Sequence, residues 1–334
     1  MSSSTEPRRV TIHDVARSAG VSRQTVSRAL NDKAEIDGST KQRVLDAARE
    51  LGYRPSRFAR GLVRPETTTI GLVVPDLLNP FFTEVAAGAL AAARARGRHV
   101  VVYDTAGNPE QELATLRVLG AQVDAVVGYF SRPEADLDRF TPGIPVVLIG
   151  REPHTPRFSG IAIDGEDGVR EAVAHLVARG HRRIGMLDHD GGPEAGVRQR
   201  WFRRAAAECG VAVHPGWITR APQTVDGGGA ALAGLLAAHP DVTAVFAFND
   251  VMAIGALREA RRFGLRVPAD LAVIGFDGLA LGTLVEPELS SVALDTRAVG
   301  ALAVEQAARL VTGADPLEPG QLIVRAALHL RESA

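Results

Sequence analysis

The sequence predicts an α/β protein with an N-terminal all-α helix-turn-helix head, followed by a two-lobed core of two doubly wound parallel sheets. Three observations carry this. Residues 10–31 contain two short amphipathic stretches broken at Gly20-Val21. From about residue 67, short apolar β-rich runs alternate with alanine-rich amphipathic stretches. The charge is also divided: residues 1–64 carry thirteen Lys/Arg against seven Asp/Glu, a net of +6, in a chain whose total is −1, so the remainder carries −7. A basic head on an acidic body is the polarity of a protein whose N-terminus meets phosphates.

The head reads element by element. Thr11 is an N-cap, and Ile12, Val15, Ala16 and Ala19 recur at helical spacing. Ser22 caps a second helix whose Val26 and Leu30 face inward, while Arg23, Gln24, Ser27 and Arg28 point elsewhere. A third helix begins at Ser39 or Thr40, aligns Val44, Leu45, Ala48 and Leu51 on one face, and ends at Gly52. A plain three-helix bundle with solvated arginines fits the same spacing, and the basic charge favours the DNA-binding reading.

In the body, strands are read at Ile70–Val74, His99–Tyr103, Ala125–Val127, Pro145–Ile149, Arg183–Leu187, Ala244–Phe248 and Ala272–Phe276. Helices such as Phe81–Arg96, Gln111–Leu119, Asp167–Arg179, Arg198–Cys209, Ala230–Ala238 and Met252–Phe263 lie between them. Continuously apolar strands alternating with helices argue for parallel sheets covered on both faces. In such sheets ligands sit beyond the carboxyl ends of the strands.

The run Thr11 to Asn31, followed by Leu51-Gly52-Tyr53-Arg54-Pro55, resembles the head of the lac repressor (LacI/GalR) family of transcription regulators, and the likeness extends over almost the whole chain. The resemblance implies that Arg23 and Gln24 read base edges in the major groove. Their chemistry agrees: Arg forks onto guanine O6/N7, and Gln pairs with adenine N6/N7. Thr25 and Arg28 share in base or phosphate contacts, while Thr11, Ser22, Ser27 and Asn31 set register on the backbone. Residues 54–64 match the family's hinge, a short helix formed on DNA, with Ser56, Arg57, Ala59 and Leu62 among its contacts and Leu62 as a wedge between central base pairs. Gly61 departs from a good hinge helix by about 1 kcal/mol relative to alanine.

The same resemblance implies a periplasmic-binding-protein-like core whose chain crosses three times between lobes, near Gly180, Leu294 and Leu322. The domains are then 1–53 for the head, 54–66 for the hinge and 67–334 for the core. Lobe 1 takes about 67–179 and 295–322, and lobe 2 about 180–294 and 323–334. Asn79 and Pro80 suit the start of a helix, and the family pattern implies that Phe81 or Phe82 lines an effector cleft and stacks on a ring. Arg198 aligns with an arginine that binds effector hydroxyls or carboxylates, and Trp201 stands where the family usually has glycine. Asn249-Asp250 and Asp277 follow strands at positions that hydrogen-bond effector. Asp167 has two readings, an effector ligand or a carboxylate placed at a helix N-terminus. Leu294 replaces a polar residue of some sugar-responsive members. Ala221–Asp226 lacks the aromatic that several members place against their ligand, with Trp217 the nearest candidate.

Other signals exclude whole classes. The 334 residues suit a small head plus a two-lobed body, and 46% are apolar. No apolar run reaches membrane-spanning length, and the N-terminus lacks a signal peptide's apolar segment. The one cysteine, Cys209, suits a reducing cytosol. Gly227-Gly228-Gly229 is no dinucleotide fingerprint, and Asp188-His189-Asp190 reads as a turn more than a metal site. No catalytic motif, metal or cofactor is expected. The tail beyond Arg325 has no heptads, which argues against a zipper-made tetramer. The expected protein is a cytoplasmic homodimeric regulator, a repressor of a pseudo-palindromic operator, tuned by a sugar or sugar derivative between its lobes. A regulator that depends on a corepressor or protein partner and senses a nucleobase or nucleoside is the alternative. A solute-binding protein or sugar-processing enzyme on the same fold is the rival of another class; the basic head argues against both.

Overall fold

The computed structural model describes residues 12–30, 36–51, 68–120, 122–189, 191 and 196–334, in two compact units that divide after Thr67. Thr11, Asn31, Ser56, Arg57, Ala59 and Leu62, and both ends of the expected 54–66 hinge, lie outside the described residues.

The head holds helices α1 (Ile12–Ala19), α2 (Arg23–Leu30) and α3 (Gly38–Glu50). Val15, Val26 and Val44 are wholly buried at their junction, ringed by Ala16, Ala19, Ala29, Ala47 and Ala48. Ser22 starts α2 by accepting from the Thr25 N–H at 3.1 Å. Asp37 caps α3 by accepting from the Thr40 N–H at 3.1 Å, so the helix begins a little before the expected Ser39 or Thr40. Hydrogen bonds from Ser39 and Thr40 hold the Asp37 carboxyl below the usual carboxylate range. Arg43 Nε donates to the Ala19 carbonyl at 3.2 Å and ties α3 to the end of α1.

The second unit begins β1 (Thr69–Val74), α4 (Pro80–Arg94), β2 (His99–Asp104), α5 (Pro109–Leu119), β3 (Ala125–Gly128), α6 (Glu134–Phe140), β4 (Val146–Ile149) and β5 (Ser159–Asp164). It continues through α7 (Glu166–Ala178), β6 (Ile184–His189), α8 (Val197–Glu208), β7 (Ile218–Ala221), α9 (Val225–Ala238), β8 (Ala244–Ala247), α10 (Asp250–Arg262) and β9 (Ala272–Asp277). It ends with β10 (Ser290–Ala293), α11 (Thr296–Thr312), β11 (Ile323–Arg325) and β12 (Ala327–His329). One sheet runs β11-β5-β4-β3-β1-β2 and the other β12-β10-β9-β8-β6-β7. Pairs are parallel except β12, which lies antiparallel to β10. β3, β4 and β8 are buried at every position, as strands covered on both faces must be. Five strands go unread in the sequence, namely β5, β7, β10, β11 and β12. They are short or carry Ser, Thr and Gly, and their neighbours fix them.

Two of the three crossings differ from the expected places. α7 packs on β10, β12 and α8 of the second sheet, so the first crossing is at Gly165 and not at Gly180. Gly180 ends a helix, which resembles a domain break in sequence. Gly165 is the required residue: a Cβ there would lie 2.6 Å from Phe276 Cε2 and 3.1 Å from Trp201 Cζ3. β11 still pairs with β5 before β12 joins β10, so the third crossing is at Ala326 and not at Leu322. The second runs through Leu294 and Asp295 into α11, which packs on α4 and the first sheet. Each crossing leaves the carboxyl end of a strand for the other lobe, so both carboxyl edges border the space between lobes.

Candidate functional site

In the head, Arg23, Gln24 and Arg28 are exposed on α2, with Thr25 and Ser27 partly so. The inward face is taken by Val26 and Ala29. The Ser22 hydroxyl is engaged with Thr25, Oγ to Oγ1 at 2.9 Å, beside its capping bond. α2 therefore begins with a fixed first turn carrying an arginine and an amide outward.

In the core, the carboxyl edge of the second sheet builds a column of groups in face contact or tilted against one another. His189 ends β6 and lies 4.1 Å, ring centre to ring centre, from Phe248 just beyond β8. Arg198, in the first turn of α8, places its guanidinium carbon 4.3 Å from the Phe248 ring centre and 3.7 Å from that of Phe276. Arg198 Nη1 donates to the Phe248 carbonyl, and Nη2 reaches Asp277 Oδ1 at 3.5 Å. Both ionic side chains are less than a tenth exposed. A desolvated cation between two rings gains about 2 kcal/mol or more from their quadrupoles. Asp277 holds φ +118°, a conformation a side chain rarely adopts.

Asn249 stands next to Phe248. Its Oδ1 accepts from the Met252 N–H at 2.9 Å and caps α10, which fixes the amide so that Nδ2 donates to Gln223 Oε1 at 3.2 Å. Gln223 in turn keeps its own NH₂ for another acceptor. On the first lobe, Asn79 caps α4 by accepting from the Phe81 N–H at 3.1 Å, as its helix-start reading requires. Phe81, Phe82 and Tyr129 meet edge to face, with ring centres 5.1–6.0 Å apart. Phe81 is in the core, and Phe82 and Tyr129 are half-buried at its margin.

The expected effector residues thus divide. Arg198, Asn249 and Asp277 come together on the second lobe, and Phe81 and Phe82 share one aromatic cluster on the first. Asp167 joins neither: it is exposed on α7 and pairs with Arg170 at 2.8 Å, the helix-terminal reading. Trp217 lies at the amino-terminal end of β7, so it stands at the wrong end of the sheet to replace a missing aromatic. Trp201 packs toward Gly165 and Phe276 instead of disturbing α8. Sequence reasoning passes over His189, Gln223 and Tyr129 as effector candidates. Each follows or ends a strand, a usable signal, but the side chains they meet, Asn249, Phe82 and Phe248, are 26 or more residues away. Among the described residues no cluster of His, Cys, Asp and Glu could hold a metal ion, and no helix is long and apolar enough to cross a membrane.

Comparison with known proteins agrees with this architecture. Residues 11–56 match the family model of bacterial regulatory proteins, lacI family, and residues 173–334 match a periplasmic binding protein-like domain. Catabolite control protein A of Priestia megaterium is 35% identical over 303 residues, covering 88% of this chain and 90% of that protein. The HTH-type transcriptional repressor CytR of Escherichia coli K12 is 35% identical over 297 residues, covering 87% and 86%. Among solved structures, a transcriptional regulator CelR–cellobiose complex matches with a TM-score of 0.72 at 31% identity, covering 98% of this chain and 100% of that one. An Arthrobacter LacI family regulator in complex with lactose matches at 0.71 and 33%, covering 80% and 99%. The lac repressor dimer bound to operator and an anti-inducer matches at 0.71 and 26%, covering 98% and 99%.

Proposed function

Because the chain belongs to the lacI family of bacterial regulatory proteins, we propose that it is a cytoplasmic repressor that holds a pseudo-palindromic operator as a homodimer, and that a saccharide bound between the core lobes sets the strength of that hold. Arg23 and Gln24 read base edges from the first turn of α2, with Thr25, Ser27 and Arg28 beside them. The net +6 of residues 1–64 supplies the sequence-independent attraction to phosphates. A twofold protein reads a twofold site. The protein acts by binding and carries out no reaction.

The single observation behind the effector reading is the clamped Arg198. Of the five N–H donors of a guanidinium, two are committed, to Phe248 and Asp277, and the rest of the fork can serve a ligand. Asp277 is an acceptor beside it, and the Gln223 amide is a donor. Donors and acceptors interleaved in this way suit hydroxyl groups, each of which needs both. Phe82 and Tyr129 offer aromatic faces for the apolar side of a sugar ring. Complexes of similar proteins with cellobiose and with lactose support this class of ligand.

A ligand that touches both lobes favours one relation between them, and its effect on operator affinity equals the operator's effect on its own affinity. The test is selection of a binding site from randomised duplexes, then fluorescence anisotropy on that site with a saccharide panel including cellobiose and lactose. A selected site with twofold symmetry, whose affinity changes with a sugar, is expected. Failure to enrich any sequence overturns the regulator reading, and indifference to every sugar overturns the saccharide reading.

A further inference from the structure

Asp250 opens α10 directly after Asn249 and is wholly buried. Both its oxygens are used. Oδ2 accepts from the Leu279 N–H at 2.7 Å, and Oδ1 accepts from the Ser291 hydroxyl at 2.6 Å. Ser291 Oγ in turn accepts from the Gly278 N–H at 3.1 Å. One carboxylate thus secures two successive amides of the turn after β9, one directly and one through Ser291. The residue that enters that turn is Asp277, with its positive φ. β9 is shaped to admit the carboxylate, because a side chain at Gly275 would run into Asp250 Oδ1.

We propose that Asp250 is a positioning residue for effector recognition, which by fixing Gly278 and Leu279 holds Asp277 in the backbone conformation that turns its carboxylate toward Arg198. The proposal rests on the reading of Arg198 and Asp277 as effector contacts. Two observations separate it from a plain helix-start role. Asn249 already caps α10 through the Met252 N–H, so the helix does not need Asp250 as a second cap there. Burial also raises the Asp250 pKa to about 6, against the pull of its hydrogen bonds and the nearby Arg331 charge. An acid kept at such a disadvantage is kept for what it binds, and what it binds is the Asp277 turn. A residue so strained persists where its surroundings over-determine it.

The test uses full-length Asp250→Ala and Asp250→Asn, with Asp277→Ala for reference. Crystal structures give a readout that needs no ligand. In Asp250→Ala the turn relaxes, Asp277 leaves positive φ, and its separation from Arg198 opens well past 3.5 Å. In Asp250→Asn, which keeps an oxygen for the Leu279 N–H, both features stay. An unchanged turn in Asp250→Ala overturns the proposal. The second readout is calorimetric titration with cellobiose and with lactose. Asp250→Ala weakens binding about tenfold or more, Asp250→Asn less than about threefold, and Asp250→Ala adds no loss in an Asp277→Ala background. Additive losses in the double variant show that Asp250 acts elsewhere and overturn the proposal. Should Asp250→Ala fail to fold, Ser291→Ala removes the bridge to Gly278 and is judged by the same criteria. If the wild-type protein binds neither sugar, that result counts against the saccharide reading, and the turn geometry alone decides the role of Asp250.

Discussion

The guanidinium carbon of Arg198 stands 3.7 Å from the centre of the Phe276 ring, and the residue after that ring, Asp277, carries the carboxylate with which Arg198 pairs. One strand end therefore supplies both a platform and a counter-charge to the same cation. Removing the cation takes from a buried carboxylate the charge it is paired with, a change that costs about 3 kcal/mol or more. Arg198→Ala is expected to lose stability of that order in urea unfolding and to recover part of it when Asp277→Asn is added. Its operator affinity, measured by anisotropy, should match the wild type, while the response to sugar disappears. A persisting response would remove Arg198 from the effector site.

At the other unit, Arg23→Ala is expected to lose about 1–3 kcal/mol on the selected duplex and to relax preference at one base pair. Binding to a panel of single-base variants measures both. Equal weakening on every duplex would show that Arg23 touches phosphate alone.

Asp250 makes stability depend on pH with a definite sign. Its folded pKa, about 6, is above that of an unfolded aspartate, so the folded state holds its proton longer. The stabilisation this brings is complete below the unfolded value and is lost as pH rises through about 6. The two values differ by enough to account for about 3 kcal/mol. Carboxylates with lowered values, such as Asp270 near 2, work in the opposite direction, so the comparison must be between variants. Asp250→Asn should gain on the wild type between about pH 4 and pH 6.5 and run parallel above, as read by chemical denaturation across that range. Parallel curves throughout would mean that Asp250 titrates normally.

Gly165→Ala tests the contact between the first crossing and the column around Arg198. The added methyl meets Phe276 Cε2 at 2.6 Å and Cζ at 2.7 Å, and such overpacking costs about 1–3 kcal/mol. Because Phe276 is the platform under Arg198, sugar affinity should fall together with the unfolding midpoint. Loss of stability with unchanged sugar affinity would separate the crossing from the site.

The sequence is most legible where local chemistry settles the outcome. Asn79 and Ser22 cap helices because a short polar side chain before a helical run has an N–H within reach. Arg198, Asn249 and Asp277 are picked out by the family resemblance, at strand ends and helix starts, where parallel sheets present polar groups. What stayed hidden depends on separations the chain alone does not encode. Gln223 meets Asn249 across 26 positions, and Arg198 meets the Phe248 carbonyl across 50. Two of the three expected crossings are misplaced for a similar reason. Gly180 and Gly165 are equally glycine in sequence, and what distinguishes them is the Phe276 ring lying over the second.

Ala326 is the single residue between a strand of one sheet and a strand of the other, and its N–H is bonded to the Asp164 carbonyl at 2.8 Å. A link this short, and tied down on one side, has no slack to lengthen. The lobes can therefore swivel or fold about this stitch but cannot draw straight apart there. The strap is placed as the pin of a hinge, so any change in the relation of the lobes is smallest beside it and grows toward the far rim of the core.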